Sequence, residues 1–262
     1  MKLDRRKFIQ QAGLTAGAVL AGNYVYPAEN PGITHILSLS FDDGFARSFI
    51  KTADIYEKYG LKACFNVIAS GGTPGFKGVD DYILPGTMGD FDLWNELQDR
   101  GHEVMPHSYK HANLTQIPME EVKDLFTRCM DVFADQLKGF KPENSIYNFP
   151  FNASNPEVES WIGKRVMAFR TAGDLVNPMP DRKRKKLTCI SQGPDNIDDY
   201  LSAQVDKFLG SAGGWFIFNT HGLDGEGWGP LSSGLLDEML AEFVEMKHVA
   251  VLPVGTAYRQ FG

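Results

Sequence analysis

The clearest indication of the fold is the segment HILSLSFDDG at residues 35–44. Apolar and small polar side chains alternate over residues 37–41, which is the pattern of a half-buried β-strand. Two carboxylates, Asp42 and Asp43, follow at the carboxyl end of this strand, and a turn at Gly44 can bring both to one rim. Because like charges so close together repel each other, a cation beside them would relieve the repulsion. Alone, Asp-Asp-Gly is weak evidence, since it also forms ordinary turns.

The rest of the chain alternates strand-like runs with helical patterns. The strand-like runs cover residues 35–41, 62–68, 102–106, 146–151, 166–171, 187–191, 215–220 and 249–253. The longest helical stripe consists of Val122, Phe126, Met130, Phe133 and Leu137. This alternation predicts parallel strands with helices outside them, and in barrels of this kind active sites form at the carboxyl ends of the strands. Polar residues that directly follow a strand are therefore the candidates for a site.

Two histidines directly follow the strand-like run at 102–106, in the segment HSYKH at residues 107–111. Histidines four residues apart lie on one face of a helical turn, at a separation that suits one divalent metal ion. His107 and His111, with a carboxylate from the first strand, offer two nitrogens and one oxygen and leave coordination positions open. That donor set is typical of a catalytic metal site and suits zinc, with cobalt or nickel as alternatives.

A third polar residue, His221, ends the apolar run WFIFNT at residues 215–220. A histidine in this place can simply be a core-edge residue whose ring bonds to a neighbouring carbonyl. Three separate strands that bring aspartate and histidine side chains to one rim favour a catalytic role instead.

Together these segments resemble the motifs of the polysaccharide deacetylases, also called NodB-homology proteins or family 4 carbohydrate esterases. The similar segments are LSFDDG at 39–44, GHE at 101–103 followed by HSYKH, and FNTH at 218–221. Their order and spacing match over nearly all of residues 33–258. The resemblance implies an α/β fold, a distorted or incomplete (β/α) barrel of about seven parallel strands. It also implies metal-assisted removal of acetyl groups from sugar polymers.

The resemblance implies a role for each matching residue. One divalent metal ion, zinc by preference and cobalt or nickel as alternatives, would be bound by Asp43, His107 and His111. Asp42 would be the general base that takes a proton from a water activated by the metal. His221 would protonate the leaving amine or alcohol. The backbone N–H of Phe151 would help to stabilise the oxyanion.

The chain departs from the family pattern at two motifs. The third motif usually reads Arg-x-Pro-Tyr, but residues 148–151 read NFPF, so Asn148 stands where the family has an arginine that orients the base. We expect Arg170 to replace that arginine, with a guanidinium nitrogen within about 4 Å of the Asp42 carboxylate. The alternative is an arginine in an unrelated ion pair. The aspartate of the fourth motif, which supports the catalytic histidine, has no clear counterpart; Asp174 is a candidate.

Three further segments suggest features of the rim. Trp228 follows His221, and its indole either stacks on a sugar ring as a substrate-binding residue or has a structural role in its loop. The Gly- and Pro-rich stretch 70–90 predicts a functional or mobile loop. The basic run at 182–186 is interpreted as a solvated loop rather than an anion site.

The N-terminus has the features of an export signal. DRRKFI at residues 4–9 precedes a mildly apolar stretch at 12–22, which resembles a twin-arginine signal. That stretch is too short and Gly-rich for a stable membrane span. We expect an export signal at 1–28 and one polysaccharide deacetylase-like catalytic domain at 29–262, exported to the periplasm or the cell exterior. A frayed basic terminus is the alternative.

Composition restricts the functional classes. A net charge of -7 argues against nucleic acid as the main partner, and 43% hydrophobic residues argue against global disorder. Three widely spaced cysteines suggest neither a disulfide framework nor a zinc knuckle. The leading hypothesis is deacetylation of an acetylated saccharide, either an N-acetyl-hexosamine unit or an O-acetylated glycan. The alternatives are an amidohydrolase acting on a non-sugar amide and a non-catalytic glycan-binding protein.

Overall fold

A computed structural model describes residues 32–78, 81–84 and 86–262. Within these residues the strands are β1 His35–Phe41, β2 Cys64–Val67, β3 Glu103–Pro106, β4 Ile146–Asn148, β5 Ala168–Ala172, β6 Val176–Asn177, β7 Lys186–Cys189, β8 Gly214–Thr220 and β9 Val249–Val251. The helices are α1 Ala46–Lys58, α2 Phe91–Asp99, α3 Met119–Gln136, α4 Pro156–Ile162, α5 Asp198–Leu209, α6 Ser233–Glu245 and α7 Val254–Phe261. Short 3₁₀ helices cover Pro142–Asn144 and Pro150–Asn152. The proposed export signal lies outside the described residues.

The strands form two sheets that face each other. The first sheet has the order β3–β2–β1–β8–β6, with β9 also paired to β1, and the second has the order β4–β5–β7. The pairs are parallel apart from the short antiparallel pair of β6 with β8. A parallel bridge between Ile190 and Phe218 links the second sheet to β8, and the Asn148 side chain donates to the Pro106 carbonyl at 3.3 Å between β4 and β3. The expected α/β fold with parallel strands is confirmed, and the strands form two sheets rather than one continuous sheet.

Successive side chains along the strands face opposite sides, so one set packs against the helices and the other set faces the space between the sheets. Side chains that face the helices are apolar and join the main hydrophobic cluster, such as Leu39 of β1 and Phe218 of β8. The inward-facing side chains at the amino ends of the strands form a second apolar cluster, which includes Ile36, Ile146, Ala168, Leu187 and Trp215. This second cluster is the apolar floor of the space between the sheets.

One layer above this floor, the inward positions become polar. The buried inward-facing residues at this level are Ser40 of β1, Asn66 of β2, Asn148 of β4, Arg170 of β5, Cys189 of β7 and Asn219 of β8. Buried polar groups are stable only when they are hydrogen-bonded, so a layer of this kind must be a connected network. The site described below lies directly on top of it.

Several elements differ from the sequence-based expectation. The predicted strand at 146–151 ends at Asn148, because Pro150 begins a 3₁₀ turn and a proline has no N–H for the ladder. Strand β6 and helices α4 and α7 were not predicted; β6 has only two residues and α4 only seven, too short for a clear periodic pattern.

All five residues of the basic run at 182–186 are exposed, as expected for a solvated loop, and two of its lysines make contacts with neighbouring segments. Lys185 donates to the carbonyls of Gly163 at 2.6 Å and Val166 at 2.9 Å, and Lys186 pairs with Glu159 at 2.7 Å. These contacts hold the start of β7 against the end of α4, at the edge opposite the strand carboxyl ends. An anion site is not needed to explain the run.

The cysteines are buried and free, as expected. Burial raises the pKa of the Cys64 and Cys129 thiols, and it raises the pKa of Cys189 to about 11, so all three favour the unreactive thiol form at neutral pH. Among the described helices, none combines the length and the apolar character that a membrane crossing requires.

Candidate metal centre and active site

Three side chains converge at the carboxyl ends of β1 and β3. Asp43 follows β1, and His107 and His111 follow β3. Asp43 Oδ1 lies 3.5 Å from His107 Nε2 and 3.4 Å from His111 Nε2, and one potential ligand atom from each residue lies within 4.8 Å of the other two. All three residues are buried. The structure therefore brings together the three residues that the sequence predicts as metal ligands.

The reason given for the histidine pair was wrong, although the pair is close. The segment from His107 to His111 is irregular rather than helical, with positive φ angles at Ser108 (66°) and His111 (58°). The Ser108 hydroxyl accepts a hydrogen bond from the His111 N–H at 2.9 Å and closes this turn. The ring centroids of the two histidines end up 4.9 Å apart, so a strained loop achieves what a helical turn was expected to provide.

Backbone strain is concentrated at this rim. In the described part of the chain, the non-glycine residues with positive φ are Asp43, Ser108, His111, Phe151, Asn152 and Asp224. All six lie in segments that follow the carboxyl ends of strands. Left-handed conformations of non-glycine residues are unfavourable and persist where the surrounding structure enforces them, which is common at functional sites.

The orientation of the His107 ring is fixed by a hydrogen bond at its Nδ1 atom. Its Nδ1 atom lies 3.0 Å from the Asn148 carbonyl oxygen. A carbonyl can only accept, so Nδ1 carries the proton and Nε2 is the free ligand atom that faces Asp43. This arrangement, in which one ring nitrogen bonds to a carbonyl and the other faces the metal position, is usual for metal-binding histidines.

The electrostatics of the cluster suit a bound cation. Burial disfavours the charged form of Asp43, but His111 and His107 outweigh it and hold the pKa of this carboxyl well below its usual range. Burial likewise opposes a charged His107, yet Asp42 and Asp43 raise its pKa above the ordinary value. The buried Oδ1 atom of Asp43 accepts no hydrogen bond from any described residue. One oxygen and two nitrogen donors that face one point fit a divalent ion such as zinc.

Asp42 belongs to a closed ring of hydrogen bonds beneath the metal cluster. Its Oδ2 atom accepts from Arg170 Nη2 at 2.5 Å, and its Oδ1 atom accepts from Asn66 Nδ2 at 2.7 Å. Asn148 completes the ring: its Nδ2 donates to Asn66 Oδ1 at 2.8 Å, and its Oδ1 accepts from Arg170 Nε at 2.9 Å. Asp42 Oδ2 is also 3.6 Å from His107 Nε2, so the ring reaches the metal cluster.

The contact between Arg170 and Asp42 lies well inside the 4 Å limit expected from the sequence. The β4–β5 register places Arg170 directly beside Asn148, so the two strand neighbours hold one ring together. Arg170 is fully buried. Burial alone would lower the pKa of its guanidinium, but the Asp42 carboxylate raises that pKa above the ordinary value and keeps the group charged.

His221 lies beyond the end of β8 and is partly exposed. Together with His111 and His107, it is one of the groups that lower the pKa of the Asp43 carboxyl. The buried Nδ1 atom of His221 has no hydrogen-bond partner among the described residues. Asp174 is exposed and accepts from Thr188 through its backbone carbonyl, so it does not support His221 as the sequence suggested.

The contact that His221 does make is with Trp228. The ring centroids lie 5.5 Å apart, with the planes nearly perpendicular at 89°. The indole also packs directly on Gly193, where an added Cβ would come within 2.5 Å of the ring. Trp228 therefore has a packing role in its loop, and only its remaining partly exposed surface is accessible to a ligand.

The turn at Phe151 faces the metal cluster from the second sheet. Phe151 adopts φ 57° in the short 3₁₀ helix after β4 and is 51% exposed. Its ring centroid is 4.6 Å from that of His111, so the residue predicted to supply the oxyanion N–H does lie at the rim beside a proposed ligand.

The Gly- and Pro-rich loop at 70–90 begins beside the metal-binding turns. The N–H groups of Ile68 and Ala69 donate to the carbonyls of Asp43 at 3.1 Å and Ser108 at 2.9 Å. Its described residues enclose a cavity of about 430 Å³, lined by residues 71–78, Ile83, Leu84, Gly86 and Met88. The cavity is lined by this loop alone, so it is separate from the metal cluster.

Sequence reasoning missed the hydrogen-bonding roles of three asparagines at the site. Two of them, Asn66 and Asn148, belong to the ring around Asp42, and the third, Asn152, bonds to Asn219 of β8. The sequence did contain one indication for Asn66, namely its position in the inward–outward alternation of its strand. Asn66 interrupts the buried strand CFNV at an inward-facing position, two residues after Cys64, where an apolar side chain would be expected. A single amide in a buried strand indicates a buried polar partner, but it does not identify that partner.

Solved structures with the same fold come from several bacteria. A structure from Mycobacterium smegmatis matches with TM-score 0.65 and 14% identity over 90% of this chain and 93% of that one. The peptidoglycan deacetylase PdaC of Bacillus subtilis matches with TM-score 0.56 and 19% identity over 87% and 92%. A family 4 carbohydrate esterase of Streptomyces lividans, in complex with acetate, matches with TM-score 0.55 and 16% identity over 83% and 91%. At these identities the matches establish the fold alone.

No curated protein matches the sequence. The family model described as polysaccharide deacetylase matches residues 30–169, which is slightly more than half of the chain. That span contains Asp42, Asp43, His107, His111 and the Phe151 turn. The chain belongs to the polysaccharide deacetylase family.

Proposed function

We propose that the protein is a metal-dependent hydrolase that removes acetyl groups from a saccharide, either an N-acetyl-hexosamine unit or an O-acetylated glycan. The observation that carries this proposal is the convergence of Asp43, His107 and His111 beside a second buried carboxylate, Asp42, in a chain of this family. The Bacillus subtilis protein with the same fold is a peptidoglycan deacetylase, which supports an acetylated glycan as the substrate class.

Asp43, His107 and His111 would hold one divalent ion, zinc by preference and cobalt or nickel as alternatives. When bound, such an ion supplies Lewis-acid chemistry that favours ionisation of water and polarises the acetyl carbonyl. The protein's part is to present one carboxylate and two neutral imidazoles to the same point, which the Asn148 carbonyl secures for His107.

Asp42 is the proposed general base. Each of its carboxylate oxygens already accepts one hydrogen bond, from Arg170 or Asn66, and each retains a further acceptor position. Asp42 takes a proton from the attacking water as the oxygen–carbon bond forms at the acetyl group. His221 then gives a proton to the sugar nitrogen or oxygen as its bond to the acetyl carbon breaks. The products are acetate and the free amine or alcohol.

The backbone N–H of Phe151 is proposed to stabilise the negative charge on the acetyl oxygen in the transition state. Its turn lies beside His111, one of the proposed ligands, with the two ring centroids 4.6 Å apart. The accessible surface of Trp228 is proposed to contact the sugar next to His221, since an indole stacks readily on an apolar sugar face.

Acetate release across a panel of acetylated glycans, with and without added zinc, tests this function. We expect release from at least one N-acetylated or O-acetylated glycan, with loss of release in a chelator and recovery on adding metal. Release only from small non-sugar amides would favour the amidohydrolase alternative. Glycan binding without any release, in protein shown to contain the metal, would favour a non-catalytic binding protein.

Arg170 is proposed as the positioning residue that the third motif lacks, and Arg170→Lys tests this role. A lysine keeps one positive charge but cannot bond to both Asp42 and Asn148 as the guanidinium does. Because a charge-assisted hydrogen bond contributes about 1.5–3 kcal/mol, we expect turnover to fall about tenfold or more. Metal content, measured by elemental analysis, should not change.

The matched control is Arg165→Lys, since Arg165 is exposed and lies far from the ring. A second variant exchanges the neighbours, Asn148→Arg with Arg170→Asn, which returns the guanidinium to the strand where the family places it. Partial recovery of turnover relative to Arg170→Asn alone is expected. Equal turnover of the wild type and Arg170→Lys would contradict the role.

Export through a twin-arginine signal is proposed for the segment before the catalytic domain, 1–28 followed by 29–262. Arg5→Lys combined with Arg6→Lys removes the paired arginines while keeping the charge. We expect this variant to remain in the cytoplasm as the full-length precursor, as measured by cell fractionation. Normal delivery to the periplasm would show that another route is used.

A further inference from the structure

We infer that Asn152 is a positioning residue that fixes the Phe151 turn relative to the strand that carries His221. The inference rests on the proposed function, because the Phe151 N–H and His221 are assigned roles only there. The two groups belong to different sheets, and among the described residues the second sheet is linked to β8 through the single bridge between Ile190 and Phe218.

The Asn152 side chain connects the two sheets. Its Nδ2 atom donates to Asn219 Oδ1 of β8 at 3.1 Å and to Ser191 Oγ at 3.3 Å. Its Oδ1 atom accepts from the Cys189 thiol of β7 at 3.3 Å. The residue is buried, so these hydrogen bonds are protected from competition with water.

The backbone of Asn152 is held from a further strand. Its carbonyl accepts from the Thr171 hydroxyl of β5 at 2.9 Å, and its N–H donates to the Phe149 carbonyl at 3.1 Å. Asn152 therefore has contacts to β5, β7 and β8 within one residue.

An asparagine suits this position because of its conformation. Phe151 and Asn152 both have positive φ angles, 57° and 49°. Consecutive left-handed residues are unfavourable unless contacts hold them, and asparagine tolerates this region better than most residues. The side-chain bonds of Asn152 thus hold the conformation in which the Phe151 N–H is presented to the rim.

The partner on β8 lies close to the proposed acid. Asn219 is two residues before His221, which directly follows Thr220, the last residue of β8. Its own Nδ2 atom donates to the Thr220 carbonyl at 3.2 Å, which fixes the amide orientation. The hydrogen bond from Asn152 to Asn219 therefore sets the separation between the oxyanion donor and the acid. Small misplacements of such groups, of about 1 Å, can lower a rate by about 100-fold.

Asn152→Gly tests the role in the reaction, because glycine keeps the positive φ and removes only the side-chain bonds. We expect kcat to fall about 10- to 100-fold with KM nearly unchanged and with metal content intact. The loss should be similar for an acetylated sugar and for 4-nitrophenyl acetate, since both need the oxyanion donor. His221→Ala should slow mainly the sugar, because nitrophenolate leaves without protonation. Unchanged kcat on both substrates would overturn the inference.

Hydrogen exchange tests the connection without any need for activity. Asn219→Ala removes the β8 partner, and we expect faster amide exchange in residues 149–155, although these are remote in sequence. Asn177→Ala is the matched control: this buried amide bonds to Thr188 and to the Trp215 carbonyl, neither of which belongs to the turn. Exchange at 149–155 that is unchanged in Asn219→Ala, or equally raised in both variants, would overturn the inference. A wild-type protein that releases no acetate would instead contradict the proposed function.

Discussion

The double variant His107→Ala, His111→Ala is expected to bind no divalent ion at stoichiometric level, whereas the wild type binds about one per chain. Removing both imidazoles leaves Asp43 as the single remaining proposed ligand, because Asp42 is engaged by Arg170 and Asn66, and one ligand oxygen binds a divalent ion only weakly in competition with water. Loss of an outer-shell partner alone can lower metal affinity or activity by about 10- to 100-fold. The loss of acetate release should therefore exceed 100-fold, and elemental analysis with acetate assays measures both effects.

A control for this variant is His248→Ala, an exposed histidine at the amino ends of the strands. It should retain both the metal and the turnover. Full activity of the double variant would remove the proposed metal site, and with it the metal-dependent mechanism. Retention of the metal with loss of activity would mean that other residues supply the ligands.

Contiguous motifs made the metal cluster predictable. Asp43 directly follows an alternating strand, and His107 and His111 share one short segment at the end of another. Parallel strands place such segments on one rim, so convergence follows from topology alone. The local geometry did not follow: a helical turn was expected between the histidines, whereas the backbone takes left-handed angles at Ser108 and His111. A sequence pattern indicates which residues meet but not the strained turn that brings them together.

The position of Arg170 was also predictable, for a related reason. It occupies an inward-facing place in the middle of β5, in parallel register with Asn148, where the family has its arginine. A guanidinium on a neighbouring strand can reach the same carboxylate, so the departure at Asn148 and the presence of Arg170 belong together. What could not be predicted is the part played by Asn66, because an amide has no preferred partner until the fold places one beside it.

The surroundings of His221, by contrast, could not be predicted from the sequence. The sequence suggested Asp174, but the structure places it at the surface and leaves His221 in contact with the Trp228 ring. An aspartate in a loop carries no pattern that fixes its direction, since loops lack the periodicity that strands and helices provide. The residues that could be predicted either belong to the recognised motifs at the strand ends, such as Asp43 and His107, or lie within a strand, such as Arg170.

A fully buried Arg170 makes the Asp42 carboxylate important for stability as well as for chemistry. The free energy of unfolding depends on the pair, because removing one partner of a buried ion pair destabilises a protein by about 3–5 kcal/mol. Asn66 and Asn148 then close the ring, in which the Nε and Nη2 groups of Arg170 have acceptors while its buried Nη1 group has none among the described residues. Loss of the Asp42 side chain should therefore destabilise the interior below the site.

Asp42→Asn is expected to lower turnover by about 10²–10⁴-fold while the metal is retained. An amide cannot accept the proton from the attacking water. Its NH₂ group must also face either Arg170 or Asn66, both of which donate to Asp42 in the wild type. The variant should therefore also lose about 3–5 kcal/mol of unfolding free energy, because the charge of Arg170 is left unpaired. Turnover, metal content and denaturant unfolding measure the three effects.

The double variant Asp42→Asn, Arg170→Met separates chemistry from stability. Removing both charges should recover much of the lost unfolding free energy, since an apolar replacement of a buried pair is often neutral or stabilising. Turnover should stay as low as in Asp42→Asn, because the base is still absent. If Asp42→Asn instead released the metal at unchanged stability, Asp42 would be the ligand and Asp43 the base. Both carboxylates lie within 3.6 Å of His107 Nε2, so metal content is the measurement that distinguishes their roles.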